Sequence, residues 1–242
     1  NLIDDIKTIL KVSKYPILTD QEGGKVSRLD KIIDLSVFSQ NYFSKLYKRD
    51  KNLFYNCYKI YIDKVCGIFN RVGININIAP VLDVRRKKSH KLIGSRSFSE
   101  NPFDVIKLGT ICINFYKKYK IATVVKHIPG QGLSKCDNHF KKPTIKASKR
   151  ELLKKDFKPF KACSSLFAMT CHAVFTAYDQ KNTATHSKTI IDKVIRNYIN
   201  FKGLLISDDI SMKSLKYRLE ENATKALQAG CNLVLHCNGN IK

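Results

Sequence analysis

The sequence predicts an α/β chain, a (β/α)8 TIM-type barrel in which six strand-helix units are visible, and two observations carry that prediction. Short apolar runs alternate with longer segments of helical periodicity along all 242 residues. Polar residues also gather just after the C-terminal end of each apolar run: Asp20, Asp83, Arg96, Lys126 with His127, His172, and Asp208 with Asp209. Parallel strands joined by right-handed crossovers bring such positions to one face of a barrel, the face that hosts catalysis in that architecture. An open doubly wound sheet is the alternative, and it uses fewer of them at a single crevice.

The units follow in order. Residues 2 to 12 read as an amphipathic helix, with Leu2, Ile3, Ile6, Ile9 and Leu10 at helical spacing. Tyr15 to Thr19 is a short strand ending in Asp20-Gln21-Glu22-Gly23-Gly24, with Lys25 and Arg28 beyond. Residues 35 to 71 are helical in two pieces, closed by Gly73. Ile74 to Val84 is a second strand containing Pro80, and Asp83 at its end is expected to bond the turn that presents Arg96. Asn101-Pro102 starts a helix as N-cap and first-turn proline. Ile121 to Val125 is the third strand and leads into Lys126 to His139, a polar loop long enough to be functional. A Lys-rich helix spans 149 to 162, and the fourth strand, Leu166 to Phe175, carries His172, a wall residue or a ligand contact. Further units are a helix over 188–198, a strand Gly203 to Ser207, a helix over 215–229 capped by Gly230, and a last strand, Asn232 to His236. No linker or repeat divides residues 1–242, so one domain is expected. Six units fall short of the eight of a complete barrel, so the expected barrel is incomplete.

Composition narrows the function classes. The net charge is +24, yet the excess is almost all Lys spread along the chain, not clustered with a stacking aromatic surface, so no nucleic acid partner is expected. No apolar run is long enough to cross a bilayer, and the first ten residues carry charges where an export signal is apolar, so no membrane partner is expected. Eight cysteines without a CxxC spacing fit reduced, packed thiols and a cytoplasmic location. The histidines are dispersed and no Gly-rich phosphate loop opens a helix, so neither a metal nor another cofactor is implied.

The chemistry lies at the strand ends. A carboxylate fixed at Asp208 in a barrel mouth can stabilise or attack a cationic carbon, which glycosidic hydrolysis requires. Asp209 reads as a cap or orienting partner. Asp20, Arg28, Arg96, Lys126 and His127 supply hydrogen bonds for a sugar. Asp137 and His139, two apart on the loop, are the carboxylate and imidazole needed for proton transfer near neutral pH.

Six segments, LTDQEGGKVSR (18–28), IAPVLDV (78–84), IGSRSF (93–98), KHIPGQG (126–132), DNH (137–139) and SDDISM (207–212), resemble the ordered signatures of the bacterial β-N-acetylhexosaminidases of glycoside hydrolase family 3. The resemblance implies a cytoplasmic enzyme of peptidoglycan recycling that removes terminal non-reducing β-N-acetylglucosamine from muropeptides or chitooligosaccharides, with no cofactor. It implies Asp208 as nucleophile, Asp137 and His139 as the acid/base dyad, and Asp20, Arg28, Arg96, Lys126 and His127 as the sugar grip. Gln131 and Asn138 depart from the family's PGHG and DSH, and against the family's barrel the resemblance implies that the first two strands and the C-terminal helices are missing from residues 1–242. A non-catalytic, amino-sugar-binding remnant of such an enzyme is the alternative, and phosphorolysis a lesser one; the oligomeric state is not read from the sequence.

Overall fold

A computed structural model describes residues 2–12, 15–86, 93–134 and 143–238. In chain order these form α1 (Leu2–Leu10), β1 (Leu18–Thr19), α2 (Gln40–Arg49), α3 (Lys51–Val72), β2 (Ile76–Asn77), a 3-10 turn (Gly94–Arg96), α4 (Pro102–Lys118) and β3 (Ala122–Ile128). Then come β4 (Thr144–Ile145), α5 (Lys149–Lys154), α6 (Lys158–Ala162), β5 (Phe167–Thr170), β6 (Val174–Phe175), a π-helix (Ile190–Tyr198), β7 (Leu204–Asp209), α7 (Leu219–Ala229) and β8 (Leu233–Leu235). Six strands make one sheet in the order β1-β2-β3-β5-β7-β8, every neighbouring pair parallel. Strands that pair in the order they occur in the chain are the barrel pattern, without the order reversal of a doubly wound sheet. Among the described residues the outer two, β1 and β8, each pair on one side only, so the sheet is an incomplete barrel. A small parallel pair, β4 with β6, stands apart from it.

Period-two alternation sorts the strand side chains into two layers. Val125, Ala168 and Leu205 face outward into the core shared with the helices, where Ile62, Val65, Phe69 and Leu108 meet them. Ile76, Ile78, Val124, Met169 and Ile206 face inward and pack on one another. Continuing the same alternation places Lys126 two residues above Val124, and Asp208 two residues above Ile206. The positions expected to carry chemistry therefore lie on the inner face because of the strand period itself.

Helix ends follow their residue types. Ser39 accepts from Tyr42 N, Asp50 from Leu53 N, Asn101 from Phe103 N and Ser148 from Glu151 N. Gly73 closes α3 at φ 85°, in the left-handed region. The first two strands are far shorter than their apolar runs predict, because side-chain amides replace the ladder. Asn77 exchanges two hydrogen bonds with the Gln21 backbone (3.0 and 2.9 Å), and Gln40 does the same with Val81 (2.9 Å each). The helix expected over 149–162 is two helices, broken around Asp156 and restarting with Pro159 in its first turn. The last helix begins at Leu219, four residues later than expected, because residues 210–218 are held as a turn. Asn222 donates there to the carbonyls of Ile210 and Tyr217.

Candidate active site

Four charged side chains from three segments meet at the top of β1 and β3. Lys126 is buried, and its Nζ lies 2.5 Å from Asp20 Oδ1 and 2.6 Å from Glu22 Oε1. Arg96, presented by the 3-10 turn, donates to the same Glu22 in a fork, Nε at 2.8 Å and Nη2 at 2.7 Å. Burial alone would raise the Glu22 carboxyl, but Lys126 and Arg96 outweigh it and hold the group well below the usual carboxylate range. Burial likewise works against the charge of Lys126 and of Arg96, and the neighbouring carboxylates more than restore it, so both cations sit above their ordinary values. Glu22, Lys126 and Arg96 thus each stabilise the charged form of the others.

His127 follows Lys126 directly, and both belong to the mouth because β3 shifts register between Lys126 and Ile128. The His127 ring lies between two groups. Its Nδ1 is 2.6 Å from Asp83 Oδ2, and its Nε2 is 3.4 Å from Arg96 Nη2. The other Asp83 oxygen accepts from the backbone N–H of Gln131 at 2.7 Å. Asp83 also accepts at its carbonyl from Ser97 Oγ (2.7 Å), beside Arg96, so its expected service to that turn is made by its backbone while its carboxylate goes elsewhere. The stem of the following loop is packed too tightly for side chains. A Cβ at Gly130 would meet the Asp156 carbonyl at 2.7 Å, and one at Gly132 the Val84 carbonyl at 1.8 Å.

Across the mouth, Asp208 is half-buried at the end of β7. Burial pushes its carboxyl up, but His172, His127, the N–H of Asp209 and Lys126 together hold it below its ordinary value. The Asp209 N–H, at 2.9 Å from Oδ1, is its hydrogen-bond donor among the described residues. Asp209 is used quite differently. It accepts from Ser211 N, from Ser211 Oγ and from Cys237 N, and so ties the turn after β7 to the end of β8. His172 is buried as a wall residue: its Nε2 is 2.9 Å from the Asp209 carbonyl, its Nδ1 is 2.7 Å from Thr185 Oγ1, and burial lowers its pKa. An Nε2–H donor to that carbonyl leaves Nδ1 to accept from the hydroxyl.

Asp20, Arg96, Lys126 and His127 thus form one contiguous cluster, with the field of Lys126 and His127 reaching Asp208. Arg28 stands at its rim, more than half exposed, 3.9 Å from Asp20. Asp137 and His139 lie outside the described residues. Glu22 is the member that sequence reasoning passed over. The signal for it is a second carboxylate in the turn after Asp20, required because a buried Lys and a buried Arg cannot share one half-exposed Asp. Among the described residues no helix is long and apolar enough to cross a membrane, and no group of three His, Cys, Asp or Glu is placed to hold a metal ion.

Residues 13–242 match the model of the glycosyl hydrolase family 3 N terminal domain. A β-hexosaminidase of Actinobacillus pleuropneumoniae serotype 5b is 32% identical over 96% of this chain and 68% of its own length; one from Photobacterium profundum is 33% identical over 96% and 69%. In fold, the chain is similar to NagZ from Neisseria gonorrhoeae in complex with N-trifluoroacetyl-D-glucosamine, with TM-score 0.87 and 28% identity over 98% of this chain and 69% of that one. It is also similar to a family 3 β-N-acetylglucosaminidase from Paenibacillus, with TM-score 0.82 and 26% identity, of which it spans 44%.

Proposed function

The chain belongs to the β-hexosaminidases of glycosyl hydrolase family 3, and from that premise we propose that it removes terminal, non-reducing β-N-acetylglucosamine from peptidoglycan-derived muropeptides by a retaining double displacement. The observation that carries the reading is Asp208: a carboxylate on the inner face, held below its ordinary pKa by the histidines and Lys126 around it, with one backbone hydrogen bond among the described residues. In the proposed first step an Asp208 oxygen bonds to the anomeric carbon as the glycosidic C–O bond breaks, and His139 gives a proton to the leaving oxygen. In the second, His139 takes a proton from water, whose oxygen replaces Asp208 at the same carbon. An imidazole suits both steps, since its ordinary pKa is near 6.5, and Asp137 would stabilise the imidazolium. Asp20, Arg28, Arg96, Lys126 and His127 would hold the hydroxyls and the acyl group of the sugar.

The complex of the similar Neisseria structure with N-trifluoroacetyl-D-glucosamine supports an N-acylated glucosamine in this mouth. A cytoplasmic location is part of the proposal, and the described cysteines, free thiols of which five are buried, fit it. Release of a chromophore from an aryl N-acetyl-β-glucosaminide tests the activity: the folded chain is expected to turn it over with retention at the anomeric carbon, and Asp208→Asn to abolish release. A folded chain without release would instead favour the non-catalytic, sugar-binding remnant. Competition by a muropeptide against the aryl glycoside tests the substrate, and acceleration by phosphate with formation of a sugar phosphate would replace hydrolysis by phosphorolysis.

A further inference from the structure

From the two bonds of one buried carboxylate we infer that Asp83 is a positioning residue, which sets the tautomer of His127 and ties that ring to the stem of the acid/base loop. The inference rests on the hydrolase reading for its consequence in turnover, but its geometry stands apart from it. Asp83 is fully buried and among the described residues each of its carboxylate oxygens has one partner: Oδ2 the His127 Nδ1 at 2.6 Å, Oδ1 the Gln131 N–H at 2.7 Å. On the far side of the ring Arg96 can only donate, so His127 Nε2 meets it as an acceptor and the ring proton belongs on Nδ1, facing Asp83. Held so, Nε2 accepts from Arg96 and keeps the ring aligned with the guanidinium of the proposed sugar grip. The Gln131 N–H begins the segment that leads to Asp137 and His139. A single rigid group therefore fixes both the His127 ring and the backbone at Gln131, from which the chain runs on to Asp137 and His139. Gly132 against Val84 and Gly130 against Asp156 leave the stem little room to re-register if that bond is lost.

The carboxylate is required because it accepts at both ends. In Asp83→Asn one end becomes an NH2 donor. The Gln131 N–H has a fixed role, so the amide oxygen is expected to stay with it, and the NH2 to face His127. Nδ1 must then accept, the proton moves to Nε2, and Nε2–H confronts the Arg96 donors. In Asp83→Ala both bonds are gone.

The test is a long-range 1H–15N correlation spectrum of the histidine rings in the full chain, with His127 assigned by its loss in His127→Gln, read beside kinetics on an aryl N-acetylglucosaminide and amide exchange at Gln131. Expected are an Nδ1–H ring in the unaltered chain and an Nε2–H ring in Asp83→Asn. For Asp83→Asn, KM should rise about tenfold with kcat held within about threefold, whereas Asp83→Ala also lowers kcat and speeds exchange at Gln131. An Nε2–H ring in the unaltered chain overturns the inference even if neither variant folds. So does an Asp83→Asn enzyme with unchanged KM, or an Asp83→Ala protein whose Gln131 amide exchanges as before. If the unaltered chain shows no turnover, the hydrolase reading falls while ring tautomer and Gln131 exchange still decide the role of Asp83.

Discussion

The two sides of the mouth are built on opposite electrical principles. On the side of β1 and β3, Asp20, Glu22, Lys126 and Arg96 are ion-paired with one another, and the buried Glu22 contributes both oxygens to the two cations. On the side of β7, backbone and hydroxyl donors hold Asp209, which lies 3.8 Å from His236, and His172 bonds a carbonyl and a hydroxyl, while among the described residues Asp208 has a single backbone donor. The paired side is pre-organised for gripping, because its charges keep one another in place before a ligand arrives. The other side leaves the Asp208 carboxylate with a single backbone donor among the described residues. Neighbouring residues of the same type, Asp208 and Asp209, therefore differ: one anchors the turn, and the other is the nucleophile of the proposed reaction.

The comparison breaks most sharply at Asp208. Replacing it with Asn retains an oxygen to accept the Asp209 N–H, so the turn should survive. Thermal melting is expected to stay within a few degrees of the unaltered chain, while chromophore release falls at least about a thousandfold. A large loss of melting temperature would mean that Asp208 is structural, as Asp209 is. Glu22→Gln should show the reverse order of effects. It leaves Arg96 without a charged partner and Lys126 with only Asp20, which should cost about 3 kcal/mol of unfolding free energy in a urea titration at pH 7.

The pH dependence carries the same contrast. The folded-state pKa of Glu22 is depressed below its ordinary 4.5, so its contribution is present in full above that value and fades as pH falls below it. Glu22→Gln should flatten this acid limb of the stability curve. An unchanged limb would show that the pairs around Glu22 add nothing.

The gripping side was also the harder to read from sequence. Lys126 and Asp208 are legible because each is two residues beyond an apolar inner-face residue, Val124 or Ile206, and the strand period does the rest. The parallel order of the six strands is legible for the same reason. Glu22 was not, because its neighbours Gln21, Gly23 and Gly24 form a turn with no periodicity to say which side chain points inward. The truncation of β1 and β2 was hidden too, since it depends on Gln40 reaching Val81 across 41 residues, a contact no local pattern announces. The division of labour within Asp83, backbone to Ser97 and carboxylate to His127, is likewise tertiary.

The smallest expected effect separates Glu22 from a second buried carboxylate near the same loop stem. Among the described residues Asp156 pairs with one cation, Arg86 Nη2 at 2.5 Å from Oδ2, and its Oδ1 has no hydrogen-bond partner. Burial pushes its carboxyl up to about 6, with Arg86 only partly offsetting it. The sign is therefore opposite to that of Glu22. A folded-state value above the unfolded 3.8 favours the folded chain most below that pH, and the advantage is lost as pH rises through about 6. Urea titrations at a series of pH values should show stability falling by about 2 kcal/mol from this group between pH 4 and 7. Asp156→Asn should remove that fall while leaving the acid limb set by Glu22 in place. If Asp156→Asn instead steepens the loss at neutral pH, the Arg86 pair is stabilising as an ion pair, and two cations are not what distinguishes Glu22.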